Sequence, residues 1–170
     1  MNNKIFGIGL PKTGTMSLYQ AMKDLGFSSV HYSMYPDYDV HYNEFFCDMP
    51  MQTRFHIYDS RYPNSKFILT IRDLDDWLDS CYRWFKDRPV LKQSIAGRYR
   101  LELYGIHTFD EQIFTNRYHK FHTHINNYFK SRPEDLLTIN LCKNPRWEKL
   151  CDFVNKPVPL IPFPHLNQNP

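Results

Sequence analysis

A chain of 170 residues with 42% hydrophobic and 16% aromatic residues can fill one packed core, and its length favours a single domain, residues 1–170, over two. A net charge of +3 from scattered basic residues suits one polyanionic small molecule better than a nucleic-acid backbone. No apolar run nears the roughly 20 residues of a membrane span and no signal-peptide core precedes the first strand, so a cytoplasmic protein is expected. Cys47, Cys81, Cys142 and Cys151 form no CxxC pair, which argues against a zinc ribbon or a redox motif and for reduced thiols.

The first segment, Lys4 to Leu25, carries the main signal. Lys4 to Leu10 has the β-branched and aromatic content of a buried strand, and Leu18, Ala21, Met22 and Leu25 recur at helical spacing. The turn between them holds Gly9, Pro11, Lys12 and Gly14. A helix opening just after such a loop presents unpaired N–H groups and the positive end of its dipole, and Lys12, Thr15 and Ser17 add a cation and two hydroxyls. The turn therefore reads as a phosphate cradle made by Lys12, Thr13, Gly14, Thr15, Met16 and Ser17. Gly9 and Gly14 have Walker A separation, yet Thr15 and Met16 stand where that loop has Lys and Ser/Thr. The hydroxyl that would hold Mg²⁺ is thus missing, and no metal is expected.

Gly26 is a helix stop, and Ser28 to Tyr32 reads as a second strand with His31 near its end. Ligands of open α/β sheets gather beyond the carboxyl ends of the strands, where the Lys12 loop also lies. Ser33 to Thr53, with Pro36 and Pro50, sustains no period; it is expected to be loop and short helix and to supply part of an acceptor pocket. Within it, Asp48 of "FFCDMP" is a candidate polar site group, or simply a turn or helix N-cap residue.

Lys66 to Ile71 is a continuous apolar run typical of a central parallel strand. Asp73 can cap the helix that follows, with Trp77, Leu78, Cys81, Tyr82 and Phe85 on its inner face. Arg72 leaves the strand's carboxyl end and Ser80 lies about two helical turns further on. The guanidinium can grip a phosphate bidentately while the hydroxyl closes from the helix side. Phe85 to Gly105 is a basic-aromatic segment that fits an adenine cover, an acceptor wall or a solvated helical face. Phe109 to Phe129 reads as a long helix; its His119, His122 and His124 lack the i, i+4 spacing of zinc helices. Leu136 to Leu141 is a further parallel strand, Pro145 to Val154 a helix, and the proline-rich end runs extended. Alternating strands and helices imply an α/β, three-layer P-loop-type fold around a mainly parallel sheet.

"KTGTMS" resembles the 5′-phosphosulfate loop of sulfotransferases that use 3′-phosphoadenosine 5′-phosphosulfate (PAPS), matching at Lys12, Gly14, Thr15 and Ser17. An arginine ending a strand with a serine eight residues on, here Arg72 and Ser80, is similar to that family's 3′-phosphate site. The D-x-P element at Asp48 and the order "LLTIN…W-x-x-LC-x-FV…PFPHLN" resemble its bacterial-type branch. An R-K-G element near the C-terminus, found in cytosolic members, is missing, which leaves a third phosphate contact unassigned. The resemblance implies sulfuryl transfer from PAPS to a hydroxyl or amine of a small-molecule or glycan acceptor, with 3′,5′-ADP as product. Lys12 would then bridge the sulfuryl group and the leaving phosphate. His31 is the expected base, with Asp48 the runner-up. The rival classes are a P-loop kinase or NTPase, which needs the Walker lysine and hydroxyl, and a non-catalytic nucleotide-binding protein, which would keep Arg72 and Ser80 but no base.

Overall fold

A computed structural model of the chain describes residues 4–166. Two compact units form: one runs to Arg72 and resumes at Glu134, the other is Asp73–Pro133.

The first unit contains β1 (Ile5–Gly7), α1 (Thr15–Asp24), β2 (Ser29–His31), α2 (Pro36–Tyr42), β3 (Phe45–Cys47), α3 (Met51–Arg61) and β4 (Lys66–Thr70), then β5 (Leu136–Ile139) and, after two further helical turns' worth of loop, a helix at Glu148–Phe153. Its five strands are all parallel, in the order β2-β3-β1-β4-β5. The two-residue period of a strand sorts side chains to the two faces. On one, Ile5, Phe45, Cys47, Ile68 and Ile139 pack with Leu18, Ala21, Met22 and Leu25 of α1 and with Leu150 and Cys151 of the Glu148–Phe153 helix. On the other, Phe6 stacks with Tyr58 of α3 (5.6 Å) and Phe67 (5.5 Å), and Phe55 meets Phe67 at 6.4 Å. With helices on both faces, β1 and β3 are buried throughout, which is why they read as continuous apolar runs.

Where the sequence suggests loop and short helix over Ser33 to Thr53, the structure has α2, a complete strand and the start of α3. β3 escapes a periodicity reading because three residues, Phe-Phe-Cys, span only one alternation. Yet it lies between β1 and β2, with Ile5 opposite Phe45 and His31 opposite Cys47. α1 stops where Gly26 donates to Lys23 O and Phe27 donates to Met22 O, the paired bonds of a Schellman end. The buried Lys4 places its ammonium on the carbonyls of His41 (3.1 Å) and Asn43 (2.7 Å), at the negative end of α2.

The second unit is helical: α4 (Leu74–Lys86), α5 (Ile95–Tyr104) and α6 (Glu111–Tyr128). Its core is aromatic, with Phe114 stacked on Tyr104 at 4.4 Å and set against Trp77 (5.7 Å) and Phe85 (5.1 Å). Ser94 and Asp110 cap α5 and α6 by accepting from Gly97 N–H and Ile113 N–H. Arg100, from the basic-aromatic segment, is only 3% exposed; its guanidinium lies over Trp84 and Phe85 and donates to Arg88 O and His107 O. On the last helix of this unit His122 Nδ1 bonds to Tyr118 O (2.8 Å). The helix at Glu148–Phe153 is α7 in chain order. Among the described residues, no helix is long and apolar enough to cross a membrane.

Candidate active site

The site lies in the first unit, where the chain leaves the carboxyl ends of β1 to β4. From β1 it runs along Ile8–Gly14 into α1. Gly9 passes so close to β4 that an added Cβ would collide with Thr70 Oγ1 and sit 2.6 Å from Thr70 O. Gly9→Ala is therefore expected to destabilise the chain by about 1–3 kcal/mol, read as a lower urea midpoint; an unchanged midpoint would mean that the loop has slack.

The loop turns through the left-handed region twice, at Lys12 (φ 74°) and Gly14 (φ 95°). Gly14 tolerates this, whereas Lys12 holds it at a cost that its surroundings must impose. Thr13 supplies one restraint: fully buried, it donates through Oγ1 to Leu10 O (2.6 Å) and meets Thr70 Oγ1 at 2.6 Å. Since the Thr13 hydroxyl has one hydrogen, Thr70 must be the donor of the second bond. Arg72 supplies the other, its Nη1 donating to Lys12 O at 3.3 Å. Thr13 thus braces the cradle, and Arg72, two residues beyond β4, reaches back to the lysine's backbone.

α1 opens at Gly14 with no side-chain cap and no acidic residue in its first turn, which leaves its positive end available to an anion. In that turn Met16 is half-buried, while Thr15 and Ser17 are buried. Ser17 Oγ accepts from Leu166 N–H at 2.9 Å. The tail reaches it after Ile161 O accepts from Trp147 Nε1 (2.7 Å) and Phe163 packs on the Trp147 ring. Asn167, the last residue of "PFPHLN", lies outside the described residues.

Parallel pairing of β2 with β3 sets His31 opposite Cys47, so the next residue, Asp48, emerges beside the imidazole. His31 Nε2 lies 3.1 Å from Asp48 Oδ2 and 3.2 Å from Thr15 Oγ1. Burial holds the imidazole below its ordinary pKa, outweighing the upward pull of Asp48 and of a backbone hydrogen bond. The ring is therefore neutral at pH 7 and carries a single hydrogen, so its two nitrogens cannot both donate. Asp48 itself has φ 68°; its Oδ1 accepts from Met49 N–H (2.9 Å) and from Gln52 Nε2 (3.3 Å). It is a turn residue whose other oxygen faces His31. Cys47 is fully buried, and burial, reinforced by Asp48, pushes its thiol well up, which makes it a poor nucleophile.

Lys12, Thr15, His31, Asp48 and Arg72 all belong to the first unit, and Ser80, 5% exposed on α4, belongs to the second. Sequence reasoning missed Gln52, which joins Asp48 to Gly9 O at 2.8 Å, and Tyr32, held at φ 58° directly after His31. Neither carries a motif signal. Among the described residues, no three His, Cys, Asp or Glu side chains are grouped to hold a metal ion.

A parallel sheet of this order, with a glycine-bearing loop leading from its central strand into an uncapped helix, defines a P-loop-type α/β protein. The family model described as "Sulfotransferase domain" matches residues 4–46 and 32–170, and the chain belongs to that family. The fold is similar to the crystal structure of mouse sulfotransferase SULT7A1 complexed with PAP, with a TM-score of 0.52 and 14% identity. That match covers 94% of this chain and 61% of the mouse chain, so the protein spans about three-fifths of that neighbour's length. No curated protein matches the sequence.

Proposed function

We propose that the chain, acting as one sulfotransferase-like domain, moves a sulfuryl group from PAPS to a hydroxyl or amine of a small-molecule or glycan acceptor. The observation that carries this reading is the meeting of the Lys12 loop with a proton-accepting pair: Thr15 of the donor helix touches His31, and His31 touches Asp48. The PAP complex of the mouse neighbour supports the choice of donor. Four cysteines that are free support a cytoplasmic setting.

The residues present fit this donor. The uncapped, acid-free start of α1 offers backbone N–H groups to a 5′-phosphosulfate, with Lys12 two residues before its cap Gly14 and the Thr15 and Ser17 hydroxyls in the first turn. PAPS would supply an activated sulfuryl group on a phosphate leaving group. Lys12 and the α1 dipole then stabilise the negative charge that grows on the bridging oxygen as its bond to sulfur breaks and the electron pair leaves with 3′,5′-ADP. As the acceptor's bond to sulfur forms, its proton passes to the His31–Asp48 pair, which holds one proton beforehand, on the neutral imidazole, and two afterwards, as imidazolium beside carboxylate. Thr15 keeps the imidazole in line with the loop. Arg72 takes the 3′-phosphate, and Ser80 is assigned to the same phosphate by its spacing from Arg72 in the sequence.

The test is nucleotide discrimination. Calorimetry should find 3′,5′-ADP bound more tightly than 5′-AMP by about 1.5–3 kcal/mol per charged hydrogen bond to the 3′-phosphate, and Arg72→Ala should erase most of the difference. Equal affinity for both nucleotides in the native chain would sink the assignment.

A further inference from the structure

Gln52 sits in the first turn of α3, four residues beyond Asp48, and is only 3% exposed. Its Nε2 donates to two acceptors on different segments, Gly9 O at 2.8 Å and Asp48 Oδ1 at 3.3 Å. Neither acceptor has a hydrogen to give, so the amide cannot be turned over without setting oxygen against oxygen. The other end of the amide, Oε1, is buried and has no hydrogen-bond partner. A buried, unsatisfied carbonyl oxygen is a standing cost, and methionine would fill the same volume without it.

We infer that Gln52 is a positioning residue, which fixes the Asp48 carboxylate so that Oδ2 faces His31 and ties that carboxylate to the donor loop. Together with Met49 N–H it occupies Oδ1, leaving Oδ2 for the imidazole. The bonds form a closed circuit. Gly9 O, Gln52, Asp48, His31 and Thr15 are joined in sequence, from the loop at Gly9 to the first residue of α1, into which that loop leads. The groups on the donor side and the acceptor side are therefore set by one network. The inference rests on the reading of His31 and Asp48 as the proton acceptor.

The experiment is an NMR titration of the His31 imidazole in the ligand-free chain, comparing the native protein with Gln52→Met and Gln52→Glu. The titratable groups around it are Asp48, Cys47, Tyr32, which feels Asp48's charge, and Tyr19, whose ring centroid is 5.7 Å away. Removing the amide N–H leaves the Asp48 charge less offset, and a carboxylate adds a like charge. The His31 pKa should rise from native to Gln52→Met to Gln52→Glu, by about half a unit to one unit in all. Turnover should fall in both variants, and because the raised pKa lets the imidazole charge earlier, the acidic limb of the pH–rate profile should move up by the same half to one unit. If Gln52→Met fails to fold, Gln52→Glu keeps the amide's shape and carries the test. A His31 titration unmoved in the folded variants, with a loss of turnover equal at every pH, reduces Gln52 to packing and overturns the inference. If the native chain neither binds 3′,5′-ADP nor yields sulfated product, the proposed function fails, while the titration still decides what Gln52 does to Asp48 and His31.

Discussion

Lys12→Ala is expected to lower 3′,5′-ADP affinity and turnover together, with turnover falling by about 10²–10³-fold, the usual loss when one preorganised charge-stabilising donor is removed. The ammonium is proposed to meet the phosphosulfate in the ground state and to gain strength as charge builds on the leaving oxygen, so kcat and donor binding both suffer. Lys12→Arg keeps the charge but not the compact ammonium, and should recover binding better than turnover. The left-handed backbone at Lys12 provides a control, because Lys12→Gly relieves the strain. That variant should be at least as stable as the native chain and still inactive. If Lys12→Ala retains full turnover, the cradle has been assigned to the wrong side chain.

The second large effect separates chemistry from binding. His31→Ala and Asp48→Asn should each cost about 10²–10⁴-fold in turnover, leaving 3′,5′-ADP affinity nearly unchanged. Because His31 and Asp48 are proposed to act as one proton-accepting pair, the double variant should lose little beyond either single one. The sign of the pH dependence follows from burial of the ring, which holds it below the ordinary value of about 6.5. Native turnover should stay level as the pH falls to about 6.5 and drop only below that, as the imidazole charges and the pair can take no further proton; in His31→Ala this acidic limb should flatten. Additive losses in the double variant would mean that two independent groups act. Full turnover in His31→Ala with loss in Asp48→Asn would hand the role of base to Asp48 alone.

The parts of this fold legible in the sequence are those with enough residues to show a period. α1, α4 and α6 carry repeating apolar faces, and the buried residues Phe67, Ile68 and Leu69 of β4 form an unbroken apolar run. The loop into α1 stood out in the sequence because its residues are local: a lysine, two glycines and three hydroxyls lie within the nine residues from Gly9 to Ser17. His31 and Asp48 could each be named, but not as a pair, since their contact depends on a three-residue strand that shows no alternation and on a register fixed by tertiary pairing. Gln52 was invisible for the same reason. A buried glutamine is distinguished by its two acceptors, and one of them, Gly9 O, comes from a chain segment that only the fold brings near. Ser17 was read for its hydroxyl, and nothing within reach in the sequence indicated that a tail residue would also claim it.

That contact, Leu166 N–H to Ser17 Oγ, joins residues 149 positions apart. At about 5–20 residues per second, a ribosome makes Leu166 roughly 7–30 seconds after Ser17. During that interval β1, β3 and β4 can pair beside α1, while the hydroxyl in its first turn waits for a partner still being synthesised. The start of α1 is thus made well before the residue that completes its bonding.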